Sequence, residues 1–163
     1  MVYILAAIDK VTTMKNKLLI TVLLAAFSSA AFAGHHEKSS VEGFIADYFE
    51  TFNSMTLEAN PEQSITFPVV FINDGKVRVI EDASEKVFDY KVIKATGWAY
   101  SKIIKTTVLD EGENSAVVLV DFTRHRADDS IMSTSKVFYT LSMTDEGWKL
   151  VGASIPGGIT LVE

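Results

Sequence analysis

The stretch from Ala116 to Ile155 constrains this chain more than any other. It reads as three consecutive antiparallel strands, Ala116–Arg126, Thr134–Thr144 and Trp148–Ile155. The turns between them, Ala127-Asp128-Asp129-Ser130 and Asp145-Glu146-Gly147, are rich in turn formers. The eleven residues Ala116 to Arg126 span roughly 35 Å at the usual strand rise, about twice the typical length. Strands this long twist, so a sheet built from them curls around something. Ala116, Val118, Val120, Phe122 and Arg124 share one face; Val117, Leu119, Asp121, Thr123 and His125 share the other. The run Ala116-Val117-Val118-Leu119-Val120 is apolar on both faces, as in a strand covered on both sides. One face is expected to pack on the protein's own helices. The other needs a cover: a second subunit is the simplest one, and the C-terminal segment Pro156–Glu163 is the alternative.

Ahead of this core lies a segment read as transient. Lys15 and Lys17 form a basic region, Leu18 to Phe27 is a ten-residue apolar stretch too short to span a membrane, and Ala31-Phe32-Ala33 supplies small residues for a signal peptidase. Cleavage is predicted between Ala33 and Gly34, with an uncleaved anchor as the alternative. Met14 opens the signal, and residues 1–13 are read as an upstream start. The division is therefore 1–33, upstream residues and cleavable signal peptide, and 34–163, a single domain. Without Lys10, Lys15, Lys17 and Asp9, 12 basic and 20 acidic residues remain, a net charge of −8. That argues against nucleic acid and anionic membrane as partners. Cysteine is absent, which excludes disulfides, thiolate metal sites and a cysteine nucleophile. The expected location is periplasmic or secreted. Cleavage would leave Gly34-His35-His36 at the terminus, a nitrogen set able to take Cu(II) or Ni(II) in a square plane. Such a terminus also arises by chance as a solvated tail.

The domain begins with a helix. Ser39-Ser40-Val41-Glu42 fits a capping box started by Ser39. Val41, Phe44, Ile45, Tyr48, Phe49 and Phe52 then recur on one helical face, to an end near Phe52 or Asn53. Phe67 to Ile72, the turn Asn73-Asp74-Gly75-Lys76 and Val77 to Ile80 form a hairpin. Pro68 sits near its beginning, where a missing amide does least harm. Ser84 is expected to cap a second helix with Val87, Phe88, Val92 and Ile93 inward and Gly97 as its stop. Trp98 and Tyr100 lead into a strand ending near Leu109. Helices early and an antiparallel sheet late make an α+β pattern.

In this order of elements the chain resembles the nuclear-transport-factor-2-like superfamily, which includes SnoaL-like cyclases and ketosteroid isomerases. The resemblance is carried by the helix from Ser40, the hairpin Phe67–Glu81, the helix near Ser84 and the strand Ala116–Arg126. It rests most on that strand, on Tyr139-Thr140-Leu141 and on the ending Asp145-Glu146-Gly147-Trp148-Lys149-Leu150. It implies one cone-shaped α+β domain, a curved antiparallel sheet wrapped around N-terminal helices with a pocket at the open end. It does not settle function, because isomerases, cyclases, dehydratases and noncatalytic binding modules share this fold.

No catalytic or cofactor motif appears, and no cofactor or metal is expected in the domain. By parity Asp121 and His125 point outward, about 13 Å apart along the strand, too far for a direct dyad. Asp47 falls on the exposed side of its helix. Arg124 follows Phe122 inward, and an inward guanidinium needs either a protein carboxylate or an anionic ligand; a snorkelling arginine at the rim is the alternative. Tyr139 faces inward with Val137 and Leu141. Tyr48 is a buried phenol in need of a partner, and Trp98 is a candidate wall. The expected ligand-binding set is thus Tyr48, Trp98, Phe122, Arg124 and Tyr139. The sequence points to an exported, dimeric, noncatalytic domain binding a small apolar or amphipathic molecule. The alternative is a cofactor-free isomerase, cyclase or hydratase-like enzyme with an unrecognised acid or base. An inward carboxylate or histidine in the cavity favours the enzyme; a wall of aliphatics, aromatics and one arginine favours binding.

Overall fold

The computed structural model describes residues 40–162. The signal peptide, its cleavage site, the Gly34-His35-His36 terminus and Ser39 lie outside the described residues.

The first helix, α1 (Val41–Asn53), is capped by Ser40 rather than Ser39. The backbone of Ser40 is extended, and its Oγ accepts the N–H of Gly43 at 3.1 Å. Either serine is chemically able to cap. The helix starts where it can bury Val41 together with Ile45 and Tyr48, and Glu42 falls in the first turn, where its charge suits the helix dipole. Two short 3₁₀ turns, Thr56–Glu58 and Pro61–Gln63, lead into the hairpin of β1 (Ile65–Asn73) and β2 (Lys76–Ile80). Asp74 and Gly75 both have positive φ, 50° and 74°, the geometry of the tight turn that joins twisted strands. Pro68 follows a cis peptide bond and lies where the register of β1 shifts, between Ile65 and Val70.

The second helix, α2 (Tyr90–Ala95), is shorter and later than expected. Ser84 does not cap it, because its N–H and hydroxyl both bond Asp82 Oδ1 in a local turn. Asp89 caps it instead, its Oδ1 accepting from Lys91 and Val92 at 3.0 and 3.1 Å. Val87, Phe88 and Ile93 are buried, with Val87 and Phe88 outside the helix. Three antiparallel strands and a fourth then follow: β3 (Tyr100–Glu111), β4 (Ser115–His125), β5 (Ile131–Thr144) and β6 (Gly147–Ile155).

The described residues form one curved, unclosed six-stranded sheet in the order β2-β1-β6-β5-β4-β3. Every neighbouring pair in it is antiparallel except β1 and β6, which run parallel. The long crossover through α2 and β3–β5 makes that join sterically free to be parallel. Helix α1 packs on the concave face. The inner set of β4 is as expected, with Ala116, Val118, Val120, Phe122 and Arg124 all buried, but the alternation stops at the strand's end, where Thr123 and His125 of the other face are buried too. Trp148 and Leu150 are buried on β6. Among the described residues no helix is long and apolar enough to cross a membrane.

Candidate functional site

Three aromatics spaced along α1 form the floor of the concave side. Tyr48 meets Tyr139 of β5 edge to face, centroids 5.5 Å apart, and Phe49 meets Phe122 of β4 at 5.5 Å. Phe52 packs against Phe88, Tyr90 and Trp98 at 5.2–5.4 Å. Between these rings and the sheet lies a cavity of about 30 Å³, room for little more than one water molecule. Tyr48, Phe122, Arg124 and Tyr139 all line it. Trp98 does not. It stands one layer behind, against Phe52, and its Nε1–H donates to Ser101 Oγ, which does line the cavity, at 3.0 Å.

Arg124 is the polar centre of this wall. It is only 7% exposed, and among the described residues it has neither an ion pair nor a hydrogen bond. Its cross-strand neighbours are Ser101 on β3 and Ser133 on β5. Burial alone pulls its pKa below the ordinary guanidinium value. The hydroxyls of Tyr48 and Tyr139 likewise make no hydrogen bond among the described residues. Burial, reinforced by Tyr139 and Tyr90, pushes the Tyr48 pKa well above normal, and burial does the same to Tyr139. Arg124 also borders an open groove of about 610 Å³, lined by Ser133, Thr134, Ser135 and the segment Pro156–Thr160. It therefore sits at the boundary between an apolar interior and a hydroxyl-rich exterior.

The mouth is closed by the C-terminal segment, which the sequence reading left without a place in the site. Ile159, Thr160 and Leu161 line the cavity directly. Asp89 N–H donates to the Leu161 carbonyl at 2.8 Å, and Asn73 binds both backbone groups of Ile159. Gly158 lies in the left-handed region (φ +64°), and a Cβ there would stand 2.9 Å from Asp74 Cβ. A Gly-Gly pair followed by apolar residues was the available signal, but the segment is too short for periodicity to orient it. Through Val162 it does not cover the outer strip of β4, where Val117 stays 37% exposed.

The remaining candidates lie elsewhere. Asp121 is outside the cavity and pairs with Lys136 across the strands at 3.0 Å. His125 is buried, but in a local cluster: its ring stacks on Tyr100 at 4.6 Å and contacts Thr123 Oγ1 and the Asp129 carbonyl. Asp47 is exposed. Among the described residues the cavity wall holds no carboxylate and no histidine, and no three potential metal-ligating side chains converge.

Residues 37–156 match the family described as NTF2-like protein (DUF6841). No curated protein matches the sequence. Among solved structures, an NTF2-like protein with a cystatin-like fold from Novosphingobium aromaticivorans is similar, with 18% identity, TM-score 0.52, and coverage of 74% of this chain and 78% of that one. A nuclear transport factor 2 (NTF2-like) superfamily protein from Salmonella enterica serovar Typhimurium is similar at 18% identity and TM-score 0.51, covering 72% and 87%. A candidate ketosteroid isomerase from Shewanella frigidimarina is similar at 15% identity and TM-score 0.50, covering 69% and 92%. At these identities the likeness is one of fold.

Proposed function

The chain belongs to the NTF2-like family DUF6841, and on that premise we propose that it is an exported, noncatalytic domain. It binds a small amphipathic molecule in the cone and pairs with a second copy through the outer face of its sheet. The observation that carries this reading is the cavity wall. Aromatic and aliphatic side chains surround a single cation, Arg124, with no carboxylate or histidine among the described lining residues. A ligand site has this composition: a mostly apolar surface with a few convergent polar groups.

A cofactor-free isomerase, cyclase or hydratase is the competing reading. Such chemistry needs a base in contact with the substrate. Among the described residues the titratable groups other than Arg124 in the wall are Tyr48 and Tyr139, whose raised pKa values keep them protonated, as donors rather than bases. The fold likeness to a candidate ketosteroid isomerase does not by itself assign a base to this chain.

Pairing is supported by the outer face. Val77 and Val79 on β2, Ile72 on β1, Phe138 on β5 and Val117 on β4 are 37–65% exposed. They share that face by register: Ile72 stands opposite Val77, Val70 opposite Val79 and Leu119 opposite Phe138. A two-fold partner would cover such a strip with the same strip. Export is supported by Lys15, Lys17, Leu18–Phe27 and Ala31-Phe32-Ala33. An exported product with an intact mass starting at Gly34 agrees with it, and a soluble product retaining Leu18–Phe27 contradicts it.

The binding reading is tested with Nile red, a neutral apolar dye, and the variant Ala153→Leu. Ala153 lines the cavity and is buried, so a larger side chain plugs it. Saturable dye binding by the wild type that disappears in the variant supports the cone as the site. Equal binding by both proteins places the dye on the outer face and removes the support.

A further inference from the structure

The reading of the cone as a binding cavity leaves the ligand's chemistry open, and Arg124 narrows it. We propose that the molecule held there is a carboxylate monoanion with an apolar body, its head group gripped by Arg124 at the boundary between cavity and groove. The inference rests on the proposed binding function.

Arg124 is 7% exposed as a residue and borders the open groove, with no ion pair or hydrogen bond among the described residues. Such a guanidinium is an unusual thing to keep. Desolvating it is unfavourable unless an anion compensates. Among the described residues no anionic side chain lines either the cavity or the adjoining groove, so none of them supplies the counter-charge there. The planar fork of Arg124 matches the two oxygens of a carboxylate in a bidentate pair. The neighbouring hydroxyls extend the same site. Ser101 Oγ accepts from Trp98, which leaves its own hydrogen to donate. Ser133 lies opposite Arg124 on β5, and Tyr139 adds a phenol.

The charge of the site sets the charge of the ligand. Arg124 is the one cation in the described cavity wall. Lys136, the second cation of the groove, is held by Asp121 at 3.0 Å. One free positive charge suits a monoanion; a phosphate dianion would call for a second. The chain's net charge of −6 repels anions at long range, so selection falls to this local contact. The apolar body goes inward, where the wall is Tyr48, Phe122 and Val137. The cavity of about 30 Å³ is too small for it while Ile159 and Leu161 are in place. Movement of those two side chains with the C-terminal segment frees room for a body of their combined size, either a medium alkyl chain or a fused aromatic pair.

Calorimetric titration of the full chain separates the outcomes. The probes are octanoate and 2-naphthoate, each against its neutral counterpart, octanol and 2-naphthol. We expect at least one acid to bind ten times or more tightly than its neutral counterpart, and the better acid identifies an alkyl or an aromatic body. Arg124→Met, which keeps the apolar stem, should reduce the acid's affinity at least tenfold and leave the neutral counterpart within twofold. Equal affinities of acid and neutral probe in the wild type overturn the carboxylate assignment and leave cone binding intact. Acid binding unaffected by Arg124→Met also overturns it. Binding of none of the four probes overturns the cavity reading itself. Should the variant not fold, the ratio of acid to neutral affinity in the wild type decides the matter.

Discussion

The side-chain amide of Asn73 grips the backbone of Ile159 at both ends: Nδ2 donates to the Ile159 carbonyl at 2.7 Å, and Oδ1 accepts the Ile159 N–H at 2.9 Å. This clasp ties the C-terminal segment to the β1–β2 turn, and the segment in turn closes the cavity with Ile159, Thr160 and Leu161. Asn53 makes the same two-point contact with Ser101, fastening the end of α1 to β3. One clasp fixes the floor of the cavity and the other its lid.

Asn73→Ala removes both bonds of the lid clasp. Net losses of about 1 kcal/mol per hydrogen bond give an expected destabilisation of roughly 2 kcal/mol by urea unfolding. Hydrogen exchange at Ile159 should accelerate far more than exchange in β4 and β5. Uniform acceleration across the sheet would mean that Asn73 supports the whole fold rather than the segment.

Arg124→Met carries the opposite expectation. A buried cation without a partner among the described residues costs stability. Replacing it with a side chain of similar length should therefore raise the stability of the ligand-free protein by about 1 kcal/mol, or roughly 4 °C in Tm. A drop of several degrees would point to a structural partner for Arg124 and against a ligand site.

Acid should weaken the domain through its capping carboxylates. Asp89 is held below the ordinary carboxylate range first by Lys86 and then by the amides of Val92 and Lys91, while Ser84 lowers Asp82 and Ser130 lowers Asp128. Each folded-state pKa is depressed, so below an unfolded value of about 3.9 the unfolded chain binds more protons and stability falls with pH. The contribution is complete above that value and is lost as pH passes down through the folded values. Thermal melts from pH 6 to pH 2 should show the decline, and Asp89→Ala should flatten its slope. An unchanged slope would remove Asp89 from the account.

The outer face predicts self-association. Leu119, Val117 and Phe138 neighbour one another on that face, and the C-terminal segment through Val162 leaves Val117 37% exposed. Wild-type protein should sediment as a dimer at micromolar concentration, and Leu119→Glu should yield a monomer with an unchanged circular-dichroism spectrum. A monomeric wild type would contradict the pairing.

Much of this architecture was legible because period-two alternation leaves a strand little choice. Residues 116–124 showed it, which placed Phe122 and Arg124 inward, and Tyr139 followed from Val137 and Leu141. The 3.6-residue stripe did the same for Tyr48 on α1. What escaped depends on competition or distance. Ser39 and Ser40 can both cap, and so can Ser84 and Asp89; tertiary packing and the Asp82 turn chose between them. Trp98 read as a wall because no local rule sets how many layers lie between a ring and a cavity. The parallel join of β1 to β6 and the docking of Ile159 on Asn73 link residues far apart in sequence, where no local pattern reports the pairing.

Native mass spectrometry of protein recovered from the exporting cell tests the central claim most directly. The account predicts one small acidic molecule per chain in the wild type. It predicts none in Ala153→Leu, whose cavity is plugged, and loss or marked weakening in Arg124→Met. A wild-type chain that is empty and remains empty at saturating octanoate and 2-naphthoate would contradict it, as would equal loading of the wild type and Ala153→Leu.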